Sequence, residues 1–218
     1  MTSNNAAAGQ VDITLDLAVH LLGSQFPHWA HLRVEPVASA GTDNALFSLG
    51  DDMVIRLPRA TWATQQVDKE QAWLPRLAPH LPLPIPVPLV QGRPDETYPW
   101  NWSVYRWLDG ADLHAGMPDD MLQAARDLAE FIKALQRIDP AGGPRSGKHN
   151  NYRGVALAAL DPTVRRSIAA LESLIDTSAA SRAWEVALEA PSWQEAPVWV
   201  HGDIHGGNLL ISDGRISG

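Results

Sequence analysis

The residues His201-Gly-Asp-Ile-His-Gly-Gly-Asn208 set a His, an Asp and an Asn at the spacing H-x-D-x-x-x-x-N. Phosphoryl transfer uses that spacing to hold a carboxylate base and an oxygen ligand for a metal ion in one loop. The base must come within hydrogen-bond reach of an acceptor hydroxyl, and a neighbouring ligand must hold the cation that neutralises phosphate charge. A plainer reading exists as well. Asp and Asn both form turns, and Gly202, Gly206 and Gly207 suit the backbone of a tight loop.

A second set of residues with chemical potential lies far upstream. Met53-Val-Ile-Arg-Leu57 reads as a strand, whose alternation puts Val54 and Arg56 on one face and Met53, Ile55 and Leu57 on the other. A helix is expected from about Trp62 to Leu74, interrupted by Pro75, with Ala63, Val67, Glu70 and Leu74 on a single stripe. A carboxylate in an apolar stripe is costly unless paired, and Arg56 is the obvious partner for Glu70. The alternatives are an Arg56 that projects into solvent and a Glu70 at the stripe's margin that reaches water.

Other elements must position these residues. Strands are expected over Arg33 to Val37 and Ala45 to Leu49, with turns at Ala40 to Asn44 and Gly50 to Asp52. The prolines from Pro79 to Pro99 forbid helix and mark a connector or sheet edge. Trp102 to Leu108 has strand composition. Pro118 to Ile138 is the clearest helix, with Met121, Leu122, Ala125, Leu128, Ile132 and Leu135 at helical spacing and Asp119 and Asp120 at its positive end. A Gly/Pro/Asn-rich loop follows, then helices over about Thr163 to Ile175 and Ser181 to Leu188. Val198 to Val200 reads as a short strand leading into the His201 loop, and Leu209 to Ser217 as a hairpin. This order predicts an α+β protein in two lobes with a cleft between them.

Composition fits a globular chain: 218 residues, 45% hydrophobic and 19% charged, with no run of apolar residues long enough to span a membrane. The N-terminal segment lacks the charge and apolar run of a signal peptide. With no cysteine, disulfide and thiolate chemistry are excluded, and a cytoplasmic location is expected. The net charge of −8 argues against general nucleic-acid binding. No membrane partner is expected, and the oligomeric state is open.

Several segments in order resemble the aminoglycoside phosphotransferase family, whose two-lobed fold is related to the protein kinases. They are Gly41-Thr-Asp-Asn44, Met53-Val-Ile-Arg-Leu-Pro-Arg59, Trp102-Ser-Val-Tyr-Arg-Trp-Leu-Asp-Gly110, Asn151-Tyr-Arg-Gly154 and Val200-His-Gly-Asp-Ile-His-Gly-Gly-Asn-Leu-Leu210. The resemblance implies a small antiparallel-sheet N-terminal lobe over residues 1–101, a hinge over 102–110 and a mainly helical C-terminal lobe over 111–218. It implies ATP and Mg²⁺ as cofactors and a hydroxyl-bearing small molecule, an aminoglycoside-like antibiotic or a metabolite, as acceptor. Asp203 is then the base, Asn208 a Mg²⁺ ligand, and His201 a residue that braces the loop. Gly41, Thr42 and Asn44 match the turn that covers the phosphates. Main-chain groups near Arg106 and Leu108 hold the adenine. Arg56 stands where kinases carry a lysine on the phosphates, a departure that a bidentate guanidinium can serve. Trp100, Trp102 and Trp107 cluster at the hinge, where packing is a commoner role than bordering the base.

Family members continue past the closing hairpin into a segment bearing a second Mg²⁺-binding Asp and into helices that shape the acceptor pocket. These 218 residues alone are therefore expected to be inactive or nearly so. A competing class is a non-catalytic nucleotide-binding or interaction module of the same fold. A minor alternative comes from Gly202-Asp203-Ile204-His205-Gly206, which resembles the first motif of the metallophosphoesterases, although the further His and Asp ligands that a two-metal site needs do not follow.

Overall fold

The computed structural model describes residues 11–38, 43–113 and 116–218. Two compact units divide it: Met1–Ile138 with Asp203–Gly218, and Asp139–Gly202. The turn expected at Ala40 to Asn44 lies mostly outside the described residues, and Gly41 and Thr42 with it.

The first unit opens with α1 (Leu15–Gln25), which sequence reading did not foresee. Its signals are short but physical. Thr14 Oγ1 accepts from the Leu17 N–H at 3.2 Å, and Ala18, Leu21 and Leu22 form one buried face at helical spacing. There follow β1 (Val34–Val37), β2 (Asn44–Leu49), β3 (Met53–Pro58), α2 (Thr61–Leu77), β4 (Pro88–Gly92) and β5 (Trp102–Arg106). The strands form one antiparallel sheet in the order β1-β2-β3-β5-β4. Gly50, at φ 59°, makes the tight turn between β2 and β3.

Strand alternation decides which side chains enter the core. Ala45, Phe47 and Leu49 of β2 and Met53, Ile55 and Leu57 of β3 are buried with the α1 face, Val104 and Trp102. Trp102 is thus a core residue, packed edge-on against Phe26, and Trp100 packs at the margin of the same cluster. Gly92 is required here, since a Cβ at that position would stand 2.0 Å from the Trp102 indole.

Helix α2 runs through Pro75 to Leu77 instead of stopping at Leu74. Proline's fixed φ is helical, so its cost is the lost N–H and the clash with the preceding turn. Near the helix end those costs fall on one turn only. The continuation places Leu77 in a buried position and lets the Ala78 N–H cap the Leu74 carbonyl. The proline-dense stretch after it ends in β4, an edge strand of the sheet.

The same unit contains β6 (Ala111–Asp112), α3 (Met121–Arg137), and the hairpin β7 and β8 described below. Asp120 caps α3, its Oδ1 accepting from the Leu122 and Gln123 N–H groups at 2.9 and 3.0 Å. The helix lies where its periodicity places it, but its buried face is Ala124, Phe131 and Leu135. Met121, Leu122 and Ile132, read as part of the inward stripe, are exposed. Two apolar faces compete on this helix, and packing against β8 selects one.

In the second unit, α4 (Asp161–Ala170) begins with Pro162 in its first turn, and α5 (Thr177–Leu188) is capped by Asp176. Asp161 of α4 joins them by accepting from Trp184 Nε1 of α5 at 2.7 Å, and Arg165, paired with Asp161 within α4 at 2.8 Å, reaches Glu185 of α5 at 3.7 Å. Residues 198–200, expected as a strand, are irregular. Trp199 there donates its indole N–H to the Asp139 carbonyl at 3.2 Å, and no ladder forms. The first unit resumes at Asp203 and ends in β7 (Leu210–Ser212) and β8 (Arg215–Ile216), which with β6 make a three-stranded sheet. Asp213 and Gly214, at φ 50° and 71°, form the two-residue turn between them.

Candidate active site

Arg56 lies on β3 opposite Leu46 of β2 and Ser103 of β5, on the face away from the Ile55 and Leu57 side chains. Its Nη1 donates to Glu70 Oε2 of α2 at 3.0 Å, so the expected pair is formed. Glu70 is only 11% exposed, which makes this a partly desolvated ion pair between sheet and helix. The Tyr105 hydroxyl donates to the same Glu70 oxygen. Burial first, and then the Glu70 charge, raise the Tyr105 hydroxyl above the ordinary phenol range, so it remains a hydrogen-bond donor. The Tyr105 ring lies 5.8 Å from the guanidinium carbon.

Asn44 occupies the start of β2 and turns its amide toward Arg56. With the carboxamide oxygen facing the guanidinium, Oδ1 accepts from Nε and Nη2, both at 3.1 Å. The amide of Asn44, expected in a phosphate-covering turn, thus faces the arginine of the neighbouring strand. Behind this group, Gln71 Nε2 donates to Ser103 Oγ at 2.8 Å and to the Val90 carbonyl at 3.1 Å, tying α2 to β5 and β4.

At the start of the expected hinge, β5 is still paired. The Arg106 N–H donates to the Val87 carbonyl and the Trp107 N–H to Asp52. The Leu108 N–H makes no hydrogen bond among the described residues. Arg106 is exposed.

Asp203 and Asn208 share one short loop. Asn208 Nδ2 donates to the Asp203 carbonyl at 3.0 Å and to its Oδ2 at 3.2 Å. The loop is closed by His205, whose Nδ1 accepts from the Gly207 N–H at 3.1 Å while its carbonyl accepts from the Asn208 N–H at 2.9 Å. His205, which the sequence reading considered only as a metal ligand, thus caps the turn inside the loop. His201 is exposed. The Leu113 N–H holds the Gly206 carbonyl at 3.1 Å, and Ser217 Oγ donates to the Asp109 carbonyl at 2.9 Å, which anchors the loop and the closing hairpin to neighbouring backbone.

The donor chemistry fits a hard cation. Asp203 offers carboxylate oxygens, and Asn208, with its amide hydrogens on Asp203, has an Oδ1 that accepts no hydrogen bond among the described residues. Among those residues, no group of three or more His, Cys, Asp or Glu side chains is placed to hold a metal.

Two clusters are thus formed, Arg56-Glu70-Tyr105-Asn44 and Asp203-Asn208-His205. A match to the family described as "Phosphotransferase enzyme family" spans residues 33–218 and includes both. The chain belongs to the phosphotransferase enzyme family.

This phosphotransferase has the kinase-like α+β fold of solved relatives. It is similar to wild-type aminoglycoside 2′-phosphotransferase-IIIa in its GDP complex, with TM-score 0.69, 22% identity and coverage of 92% of this chain and 70% of that one. A macrolide 2′-phosphotransferase, MphH from Brachybacterium faecium, aligns with TM-score 0.59 and 20% identity over 93% of this chain and 69% of its own. An aminoglycoside phosphotransferase APH(4)-Ia in ternary complex with AMP-PNP and hygromycin B aligns with TM-score 0.56 and 22% identity over 91% and 68%. No curated protein sequence matches the phosphotransferase. Among the described residues, no helix is long and apolar enough to cross a membrane.

Proposed function

We propose that the phosphotransferase moves the γ-phosphoryl group of ATP to a hydroxyl of a small molecule. The observation that carries the reading is the Asp203–Asn208 pairing in a loop closed by His205. Asp203 takes the proton of the acceptor hydroxyl, the freed oxygen forms a bond to the γ-phosphorus, and the bond to the β,γ-bridging oxygen breaks to release ADP. Asn208, by donating to both the carbonyl and the carboxylate of Asp203, fixes the direction of the base. Asn208 Oδ1 would hold a Mg²⁺ ion, which would supply charge neutralisation on the phosphates. Arg56, oriented by Glu70, holds phosphate oxygens, and main-chain groups near Leu108 hold the base of the nucleotide. The division into lobes at residues 102–110 belongs to the same reading.

Similar solved proteins were captured with kanamycin, gentamicin, streptomycin and hygromycin B, which supports polyhydroxylated antibiotics as the first acceptors to try. Their nucleotides include GDP, ADP and AMP-PNP, so ATP is to be assayed beside GTP. The test is phosphoryl transfer from radiolabelled ATP or GTP with Mg²⁺. Asp203→Asn is expected to lower turnover by about 10²–10⁴-fold while nucleotide binding persists. Turnover unaffected by that change removes Asp203 as the base. Nucleotide binding with no transfer to any acceptor is the result expected of the non-catalytic module and equally of a phosphotransferase that needs a further Mg²⁺-binding Asp.

A further inference from the structure

An arginine and a lysine bind phosphate by different rules. A lysine ammonium is a rotatable point charge, whereas a guanidinium offers five N–H donors in a rigid plane, so its usefulness depends on how that plane is turned. In this protein the plane is held from two sides. Asn44 Oδ1 takes Nε–H and one Nη2–H, and Glu70 takes one Nη1–H. That leaves one N–H on each of Nη1 and Nη2. Glu70 is itself held by the Tyr105 hydroxyl, and Tyr105 lies beside Ser103, whose Oγ receives Gln71 Nε2.

We infer that Asn44 and Tyr105 are positioning residues that hold Arg56 as a two-pronged ligand for nucleotide phosphate oxygens. The inference rests on the proposed function, in which Arg56 meets the phosphates. Asn44 sets the rotation of the guanidinium about its own stem. Tyr105 sets the carboxylate that takes its Nη1. Neither residue touches the nucleotide, and each acts through Arg56.

The test compares binding of ADP and of adenosine, or of GDP and guanosine if the protein prefers them, by calorimetry on the full chain with Mg²⁺. A purely structural role weakens nucleotide and nucleoside together; a positioning role weakens only the species with phosphates. Asn44→Ala and Tyr105→Phe are each expected to lower the nucleotide-to-nucleoside affinity ratio by roughly tenfold, the upper end for one hydrogen bond. Neither change is expected to lower that ratio further once Arg56 is Ala. Arg56→Lys is expected to behave like Arg56→Ala in part, and to become insensitive to Asn44→Ala. If Asn44→Ala fails to fold by circular dichroism, Asn44→Ser takes its place, and Tyr105→Phe removes a hydroxyl only. The inference is overturned if Arg56→Ala lowers the ratio but Asn44→Ala and Tyr105→Phe do not. A ratio unchanged by Arg56→Ala overturns the phosphate role of Arg56 itself and the inference with it.

Discussion

At the scale of single residues, the first unit buries polar groups both with and without partners: Trp102 Nε1 has none among the described residues, whereas the Tyr98 hydroxyl is matched. Tyr98 is fully buried, and its hydroxyl donates to the Pro58 carbonyl at the end of β3 at 2.7 Å. Tyr98→Phe leaves that carbonyl without its partner, and a loss of about 1–2 kcal/mol is expected in urea denaturation. A change within about 0.3 kcal/mol instead means that water reaches the carbonyl. The Arg56–Glu70 pair was legible in the sequence because the strand face and the helix stripe each pointed one charge inward. Asn44 and Tyr105 were not. Their contacts depend on β2 and β5 both flanking β3, and neither the sheet order nor the register is written in local periodicity. His205 was hidden for a different reason: its role is a cap on one turn, which any short polar side chain could fill.

At the scale of elements, Gly92 shows how closely β4 and β5 approach. A methyl group there meets the Trp102 indole, whose own position is fixed by Phe26 and the core. Gly92→Ala is therefore expected to cost about 2–3 kcal/mol through forced displacement of the core, measured as a lowered denaturation midpoint with an unchanged slope. A neutral result shows that the β4 edge can move outward. Strands β1, β2, β3 and β5 and the closing hairpin were readable from turn residues and alternation, whereas β6 was not and the strand expected at residues 198–200 did not form. Helix α3 shows the limit. Its existence followed from spacing, but Met121, Leu122 and Ile132 were as apolar as Ala124, Phe131 and Leu135, and only a packing partner chooses between two such faces. Pro75 was read as a stop because a local rule outweighed the burial of Leu77.

At the scale of the whole molecule, two properties differ by region. Asp95 and Asp127 are both held below the ordinary carboxylate value of 3.8. The Thr97 hydroxyl is the main cause at Asp95, and the Gln123 amide, then Arg215, at Asp127. A lowered folded value means that these groups stabilise the protein above pH 3.8 and that the contribution is lost as pH falls through the lowered values. The double change Asp95→Asn with Asp127→Asn is expected to flatten the acid limb of the melting temperature against pH, leaving the neutral region parallel to the parent. An acid limb of unchanged steepness assigns acid lability to other carboxylates. The second unit, Asp139–Gly202, has no buried residue along its length, and its helices are joined by Asp161, Trp184 and Arg165 at the surface. Its amides are expected to exchange with deuterium far faster than those of β2, β3 and β5, read by mass spectrometry of peptic fragments. Equal protection across both units contradicts this.

The proline content that first marked a connector has a further effect at the margins of the sheet. Its two outermost strands are β1, which contains Pro36, and β4, which opens with Pro88. Each removes one N–H from a strand that has a neighbour on one side only. A stray strand from another molecule therefore meets an interrupted template at either border. The five-stranded sheet is finite by composition, a safeguard against self-association that is independent of its chemistry.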